Sequence, residues 1–140
     1  MKKILLSVLI CSSFLGGCAT GLNSFQKDEY MNYEVNDVLV EEKNTTTAAV
    51  LGILPGGGSF YTRNYGIGVI NLLFWPLSIL WDPISGINGA ESLNYHVTKS
   101  YLKREKNKEM NALESKFIAD EISKKEYVLE KRKIDNKYQY

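Results

Sequence analysis

The chain has 140 residues, 44 % of them hydrophobic, with 17 Lys or Arg against 16 Asp or Glu, two Cys and a single His. That length allows one modest domain, and the mixed, near-neutral charge argues against a nucleic-acid binder, which needs a one-signed basic face. A lone His with no paired acid and base leaves neither a catalytic constellation nor a metal-ligand set, so the sequence reads as a non-enzyme.

The total hides an asymmetry. Residues 19–43 hold Lys27 and Lys43 against Asp28, Glu29, Glu34, Asp37, Glu41 and Glu42, whereas residues 99–140 hold twelve Lys or Arg against eight Asp or Glu. Between Lys43 and Glu91 only Arg63 and Asp82 carry charge. An acidic segment, a nearly chargeless one and a basic tail therefore succeed one another, a pattern that bears on contact with a bilayer.

The amino terminus has the anatomy of an export signal. Lys2 and Lys3 precede an apolar run from Ile4 to Leu15 that is too short for a good spanning helix, and Gly16 and Gly17 come after it. Leu15-Gly16-Gly17-Cys18 resembles the lipobox of bacterial lipoproteins. The resemblance implies a signal peptide over 1–17, cleavage before Cys18, a covalent diacylglycerol on that thiol and an N-acyl chain such as palmitate on the new amino terminus. The other readings are an ordinary secretory signal with an incidental Cys, or an uncleaved anchor helix. Two or three acyl chains, at about 0.8 kcal/mol per buried methylene, hold a protein on a bilayer almost irreversibly. With Cys11 removed and Cys18 a thioether, no free thiol would remain for a disulfide, a metal or nucleophilic chemistry. The implied location is membrane-anchored and facing the periplasm. Ala19, where Asp would favour retention in the inner membrane, tilts this toward the outer membrane and leaves the inner one open.

The lipidated start and a polar tether occupy 18–44. Most of it reads as a plain linker. Tyr33-Val35 and Val38-Val40 are nevertheless spaced for short extended pieces, and packing of the tether against the apolar residues after Lys43 is the other reading.

Residues 45–90 read as an apolar helical hairpin. Ala48 to Leu54 is stopped by Pro55-Gly56-Gly57-Gly58, and a second run from Gly66 to Trp81 has only Asn71 and Ser78 as polar residues, with Pro76 expected to kink or break it. Its sixteen residues fall short of the roughly 20 that cross a bilayer. Phe60, Tyr61, Tyr65, Trp75 and Trp81 lie toward the ends, where aromatic rings favour the headgroup zone, and Gly52, Gly56 to Gly58, Gly66 and Gly68 would let two helices approach closely.

Pro55 to Tyr61 followed by Tyr65-Gly66-Ile67-Gly68 resembles the core of the TM2 domain, with Arg63 in the basic turn position and Asp82 in the acidic position after an aromatic exit. The first helix is short for that family, and Pro76 departs from it. An Arg63–Asp82 ion pair or a capping Asp82 is expected, in a turn-rich Asp82 to Ala90. Full spanning would place Arg63 at the cytoplasmic turn but the basic Lys99 to Lys108 outside, against the positive-inside tendency; a hairpin dipping into one leaflet removes the conflict. Packing of both runs as the core of a small soluble domain is the competing reading. His96 has no second ligand at metal spacing and is expected to be exposed.

Residues 91–140 read as a charged helical tail. Met110, Leu113, Phe117, Ile118 and Ile122 recur at helical spacing, Ser123-Lys124-Lys125-Glu126 is a capping box, and Tyr127, Val128, Ile134 and Tyr138 supply a second apolar face. Leu113, Ile122-Ser123, Glu126-Tyr127 and Lys131 to Ile134, within 110–138, resemble the SHOCT module, with Asp120-Glu121 where that family has a Gly. The resemblance implies self-association or docking of a partner, without chemistry.

The expected protein is thus mainly α: a signal peptide, a short apolar helical hairpin and charged C-terminal helices, with no large globular core. Its expected role is structural or adaptor-like in the cell envelope, with membrane lipid and a second copy or an envelope protein as partners, and no cofactor beyond the acyl chains. The alternative is a soluble-type periplasmic module on a lipid tether that binds a hydrophobic ligand or lipid.

Overall fold

A computed structural model describes residues 21–140. The signal peptide and the lipidation site expected at Cys18 lie outside the described residues. Among those described, all regular structure is helical.

Helix α1 (Ser24–Val35) begins at a capping box in which the Asn23 side chain accepts from Gln26 N at 2.9 Å and Gln26 Oε1 accepts from Asn23 N at 3.1 Å. It stands where a polar linker was expected, so the tether reading is overturned over this stretch. Its apolar content is only a stripe, but Tyr30 and Tyr33, three apart, turn to the same side and are buried. They meet Tyr95 of the long helix, with Leu22, Val38, Leu39, Leu102 and Tyr140 around them. The Tyr33 and Tyr95 rings stack at 6.1 Å. Burial pushes the Tyr30 and Tyr33 hydroxyls above the ordinary phenol range.

Asp37, at φ 56°, turns the chain back after α1, and residues 38–43 run irregularly along the long helix without a strand partner. Side chains take the place of a sheet. Val40 N donates to Thr98 Oγ1 at 2.9 Å; Glu42 N and Lys43 N both donate to Asn94 Oδ1 at 2.9 Å; Asn94 Nδ2 returns a bond to the Lys43 carbonyl at 2.8 Å. Asn94 and Thr98 are one turn apart on one helix face, which lets them serve peptide groups of the same segment.

The expected two-helix hairpin is divided further. Helix α2 (Thr45–Leu51) is capped by Asn44, whose Oδ1 accepts from Thr47 N at 2.8 Å. Helices α3 (Gly57–Tyr61) and α4 (Tyr65–Leu73) come next, then a 3-10 turn (Leu77–Leu80). Thus the second run does break near Pro76, as expected from a residue that cannot donate to the helix ladder.

Helix α5 (Asp82–Ile118) is 37 residues long. At 1.5 Å per residue it spans about 55 Å. The turn-rich reading of Asp82 to Ala90 is therefore wrong, and the boundary expected between 90 and 91 falls inside one helix. Pro83 is tolerated because it sits in the first turn, where its missing N–H has no helical partner to lose. Gly86 and Gly89 are tolerated because neighbours occupy the space of a side chain: a Cβ at Gly86 would lie 2.8 Å from the Ala48 carbonyl, and one at Gly89 would lie 2.7 Å from Thr62 Oγ1.

The carboxy-terminal helical pair forms where its apolar stripes and capping box place it. Asp120, at φ 56°, makes the reversal, and Ser123 opens helix α6 (Lys124–Lys137) through the expected capping box with Glu126. Asp120 holds a left-handed conformation that Gly adopts more readily. Helix α6 lies antiparallel on α5: Phe117 and Tyr127 stack at 4.8 Å near the joint, Lys106 pairs with Asp135 at 2.7 Å, and Lys137 pairs with Glu109 at 2.5 Å farther back. Leu113 is buried, whereas α6 itself has no buried residue.

Candidate functional site: an apolar surface over a polar core

Residues 48–90 invert the usual order of a folded domain. From Leu72 to Trp81 every residue is exposed except Ser78, so the surface displays Leu73, Phe74, Trp75, Leu77, Leu80 and Trp81. Val50, Ile53, Leu54, Tyr65, Val69 and Ile84, from the neighbouring elements, are exposed as well. Leu73 and Leu80, at 74 % and 75 % exposure, are among the most exposed large apolar side chains. Isolated exposed apolar residues are ordinary; nine exposed residues among the ten from Leu72 to Trp81 are not.

Behind it, small and polar residues fill the interior. Ala48, Gly52, Gly56, Gly58, Ser59, Thr62, Gly68, Asn71, Ser78, Asp82, Gly86 and Ala90 are all buried. The glycines let three helices meet backbone to backbone. A Cβ on Gly58 would lie 2.9 Å from the Ala48 carbonyl and 3.2 Å separate Gly58 Cα from a Cβ placed on Gly86, so α2, α3 and α5 converge at one point. Gly52 is pressed against the backbone of Pro83, and Gly68 against the Phe60 ring. Gly56 adopts φ 70°, the left-handed region that suits it, and Gly57 lies against the Leu51 carbonyl. Gly66 is the exception: nothing lies within 4 Å of the place its Cβ would take, so it has no part in close packing.

Asp82 is fully buried at the first residue of α5. Its Oδ1 accepts from Ser59 Oγ at 2.5 Å and from Asn71 Nδ2 at 2.6 Å. Asn71 Nδ2 also donates to Ser59 Oγ at 3.1 Å, and Asn71 Oδ1 accepts from Trp81 Nε1 at 2.8 Å. The cluster ties α3, α4 and α5 together and orients the exposed Trp81 ring. The Asp82 Oδ2 and Ser78 Oγ atoms, both buried, have no hydrogen-bond partner.

The expected Arg63–Asp82 pair does not form. Arg63, at φ 63° in the turn after α3, is exposed and forms an ion pair with Glu42 of the 38–43 segment. The turn projects the guanidinium outward, while the first turn of α5 faces Asp82 inward. The side chain of Asp82 does not cap its helix either. Phe60 and Tyr61 are half-buried packing residues rather than peripheral rings: Phe60 covers Gly68, and the Tyr61 hydroxyl accepts from Asn44 N at 3.2 Å while Lys43 Nζ lies 4.5 Å over its ring. Tyr65, Trp75 and Trp81 are exposed, as is His96. Ser59, Thr62, Asn71 and Ser78 were not recognised as site residues from the sequence, although the polar residues interrupting an otherwise apolar run were the available signal.

No family model, curated protein or solved structure matches the chain. Among the described residues, no helix is long and apolar enough to cross a membrane.

Proposed function

We propose that this is a lipid-anchored cell-envelope protein with a structural or adaptor role, whose 50–84 surface rests in the outer part of a bilayer. The observation that carries this reading is the inversion itself: fully buried Asn71, Ser59, Ser78 and Asp82 beneath exposed Leu, Ile, Phe and Trp. Water would favour the opposite arrangement, whereas hydrocarbon favours small residues at helix contacts and polar groups turned inward. The short helices suit a dip into one leaflet, because the polar backbone of the connections would still need water or protein partners.

A second observation supports the same end of the molecule. Gly21, at the start of the described chain, lies against Asn88, two turns from Asp82. Cys18 is three residues away, a reach of at most about 10 Å. An acylated Cys18 would thus enter the bilayer beside the apolar surface. On this reading α5 carries the joint with α6, where Ile118, Val128 and Leu129 are exposed, away from the membrane for self-association or docking of an envelope protein.

The test uses the mature chain with Cys18→Ser, so that attachment cannot come from acyl chains. Phospholipid vesicles should carry it in flotation and shift its Trp emission to the blue. Leu73→Asp with Leu80→Asp, both on the surface, should abolish this without loss of helicity. A Cys18→Ser chain that stays in the supernatant with unchanged emission would overturn the proposal.

A further inference from the structure

We infer that the lipid surface taken by the apolar end is zwitterionic or neutral, and that anionic headgroups are disfavoured there. The inference rests on the bilayer reading above and names the class of lipid. From Gly21 to Thr98 the chain has three cationic residues, Lys27, Lys43 and Arg63, against eight Asp or Glu. Asp82 is the one buried acid among the eight, so the others act at the surface.

Each of the three cations is already committed. Lys27 Nζ lies 3.7 Å from a Glu91 carboxylate oxygen, the Arg63 guanidinium pairs with Glu42, and Lys43 Nζ lies 4.5 Å over the Tyr61 ring. No cation is left free to meet a lipid phosphate, and the remaining carboxylates repel an anionic surface. The basic tail does not make up for this. Lys99 is bound to Glu29 at 2.9 Å. Lys103, the next one, is nine residues beyond Asn94, whose side chain holds Glu42 N. It therefore stands about 13 Å farther along α5 than the Arg63–Glu42 pair. That exceeds the screening length of about 8 Å at physiological ionic strength, so α5 carries the excess of Lys and Arg out of reach of the headgroups. Attachment through apolar side chains alone needs no headgroup charge.

The test is flotation of the mature Cys18→Ser chain with vesicles of phosphatidylcholine alone and of phosphatidylcholine mixed with phosphatidylglycerol, at low and high KCl. Binding to the mixed vesicles should be no tighter than to phosphatidylcholine and should not fall with salt. Glu42→Gln keeps the side-chain shape and frees Arg63. It should raise affinity for the mixed vesicles about fivefold, the worth of one cation near an anionic surface, and high salt should remove the gain. Glu91→Gln, which frees Lys27, is the second such variant and decides if the first fails to fold. Glu130→Gln changes the net charge equally but frees Lys133 on α6, and should leave the preference as it is. Circular dichroism checks the fold of each variant. Salt-sensitive, tighter binding of the parent to the mixed vesicles would overturn the inference while the bilayer reading stands. So would a missing gain in the variants that free Arg63 and Lys27, or an equal gain in Glu130→Gln. Failure to float with either kind of vesicle would overturn both.

Discussion

Asn94 holds residues 42 and 43 to the long helix through three hydrogen bonds, and its removal has a calculable effect. Its Oδ1 accepts from two consecutive peptide N–H groups, those of Glu42 and Lys43, and its Nδ2 donates to the Lys43 carbonyl, with lengths of 2.8 to 2.9 Å. Asn94→Ala deletes all three bonds at once. At a net 0.5–1.5 kcal/mol per bond the loss is roughly 2–4 kcal/mol, the lower end applying if water reaches the vacated peptide groups. Against a total stability of about 5–15 kcal/mol this is a large fraction. Thr98→Val is the internal control, because it keeps shape and removes one long-range bond, from Val40 N, for about 1 kcal/mol. Urea unfolding followed by circular dichroism should show a midpoint lowered by roughly 1–2 M for Asn94→Ala, given a slope of about 2 kcal/mol/M, and about a third of that for Thr98→Val. A shift for Asn94→Ala no larger than that for Thr98→Val would refute the view that these bonds fix residues 38–43 to the helix.

Two further perturbations test the packing and the electrostatics. Gly86→Ala and Gly66→Ala should move Tm in opposite directions: each gains up to about 1 kcal/mol of helix propensity, but overpacking of about 1–3 kcal/mol outweighs it at Gly86. There the new Cβ meets the Ala48 carbonyl at 2.8 Å, while at Gly66 it meets open space. Equal shifts in thermal scans would disprove the convergence of α2, α3 and α5 at that point. Glu29 is held below the usual carboxylate range by the donated Tyr95 hydroxyl first and by Lys99 second. A carboxylate lowered in the folded state stabilises above its unfolded pKa, and the contribution is lost as pH falls through the folded value. Stability of the native chain should therefore drop as pH falls below the ordinary glutamate range, and Glu29→Gln should flatten this acid limb. An unchanged pH profile in urea midpoints would show that the contact carries no linkage.

The features legible in the sequence were local or compositional. Ser123 and Glu126 announce their helix start because a capping box involves four consecutive residues, and Pro76 announces a break because its ring removes a donor wherever it sits. The absence of charge between Lys43 and Glu91 pointed to the segment that turned out to be inverted. What was not legible depends on partners distant in the chain. Tyr30 and Tyr33 make α1 a packed helix only because Tyr95 stands opposite, and their own segment is too polar to announce it. Arg63 and Asp82 looked complementary as the only two charges in the stretch, but a left-handed Arg63 and an inward first turn of α5 send them to different neighbours. Gly86 and Gly89 read as turn residues because the sequence does not say whether a glycine is present for its φ or for its missing side chain; here it is the latter.

Helix α5 serves two kinds of interior along its length. Over its first three turns it presents Asp82, Gly86 and Ala90 to a core of small and polar groups beneath an apolar surface. From Asn94 onward it presents Tyr95 and Leu102 to tyrosines and leucines, and the buried Asn94 and Thr98 to residues 40–43. The side chains between the two are charged: Lys27 pairs with Glu91 at 3.7 Å, Arg63 pairs with Glu42, and Lys43 covers Tyr61. If the apolar end lies in lipid, the exchange marks the depth at which headgroups give way to water. That level would then fall between Ala90 and Asn94, with about 35–40 Å of α5 beyond the surface to carry α6.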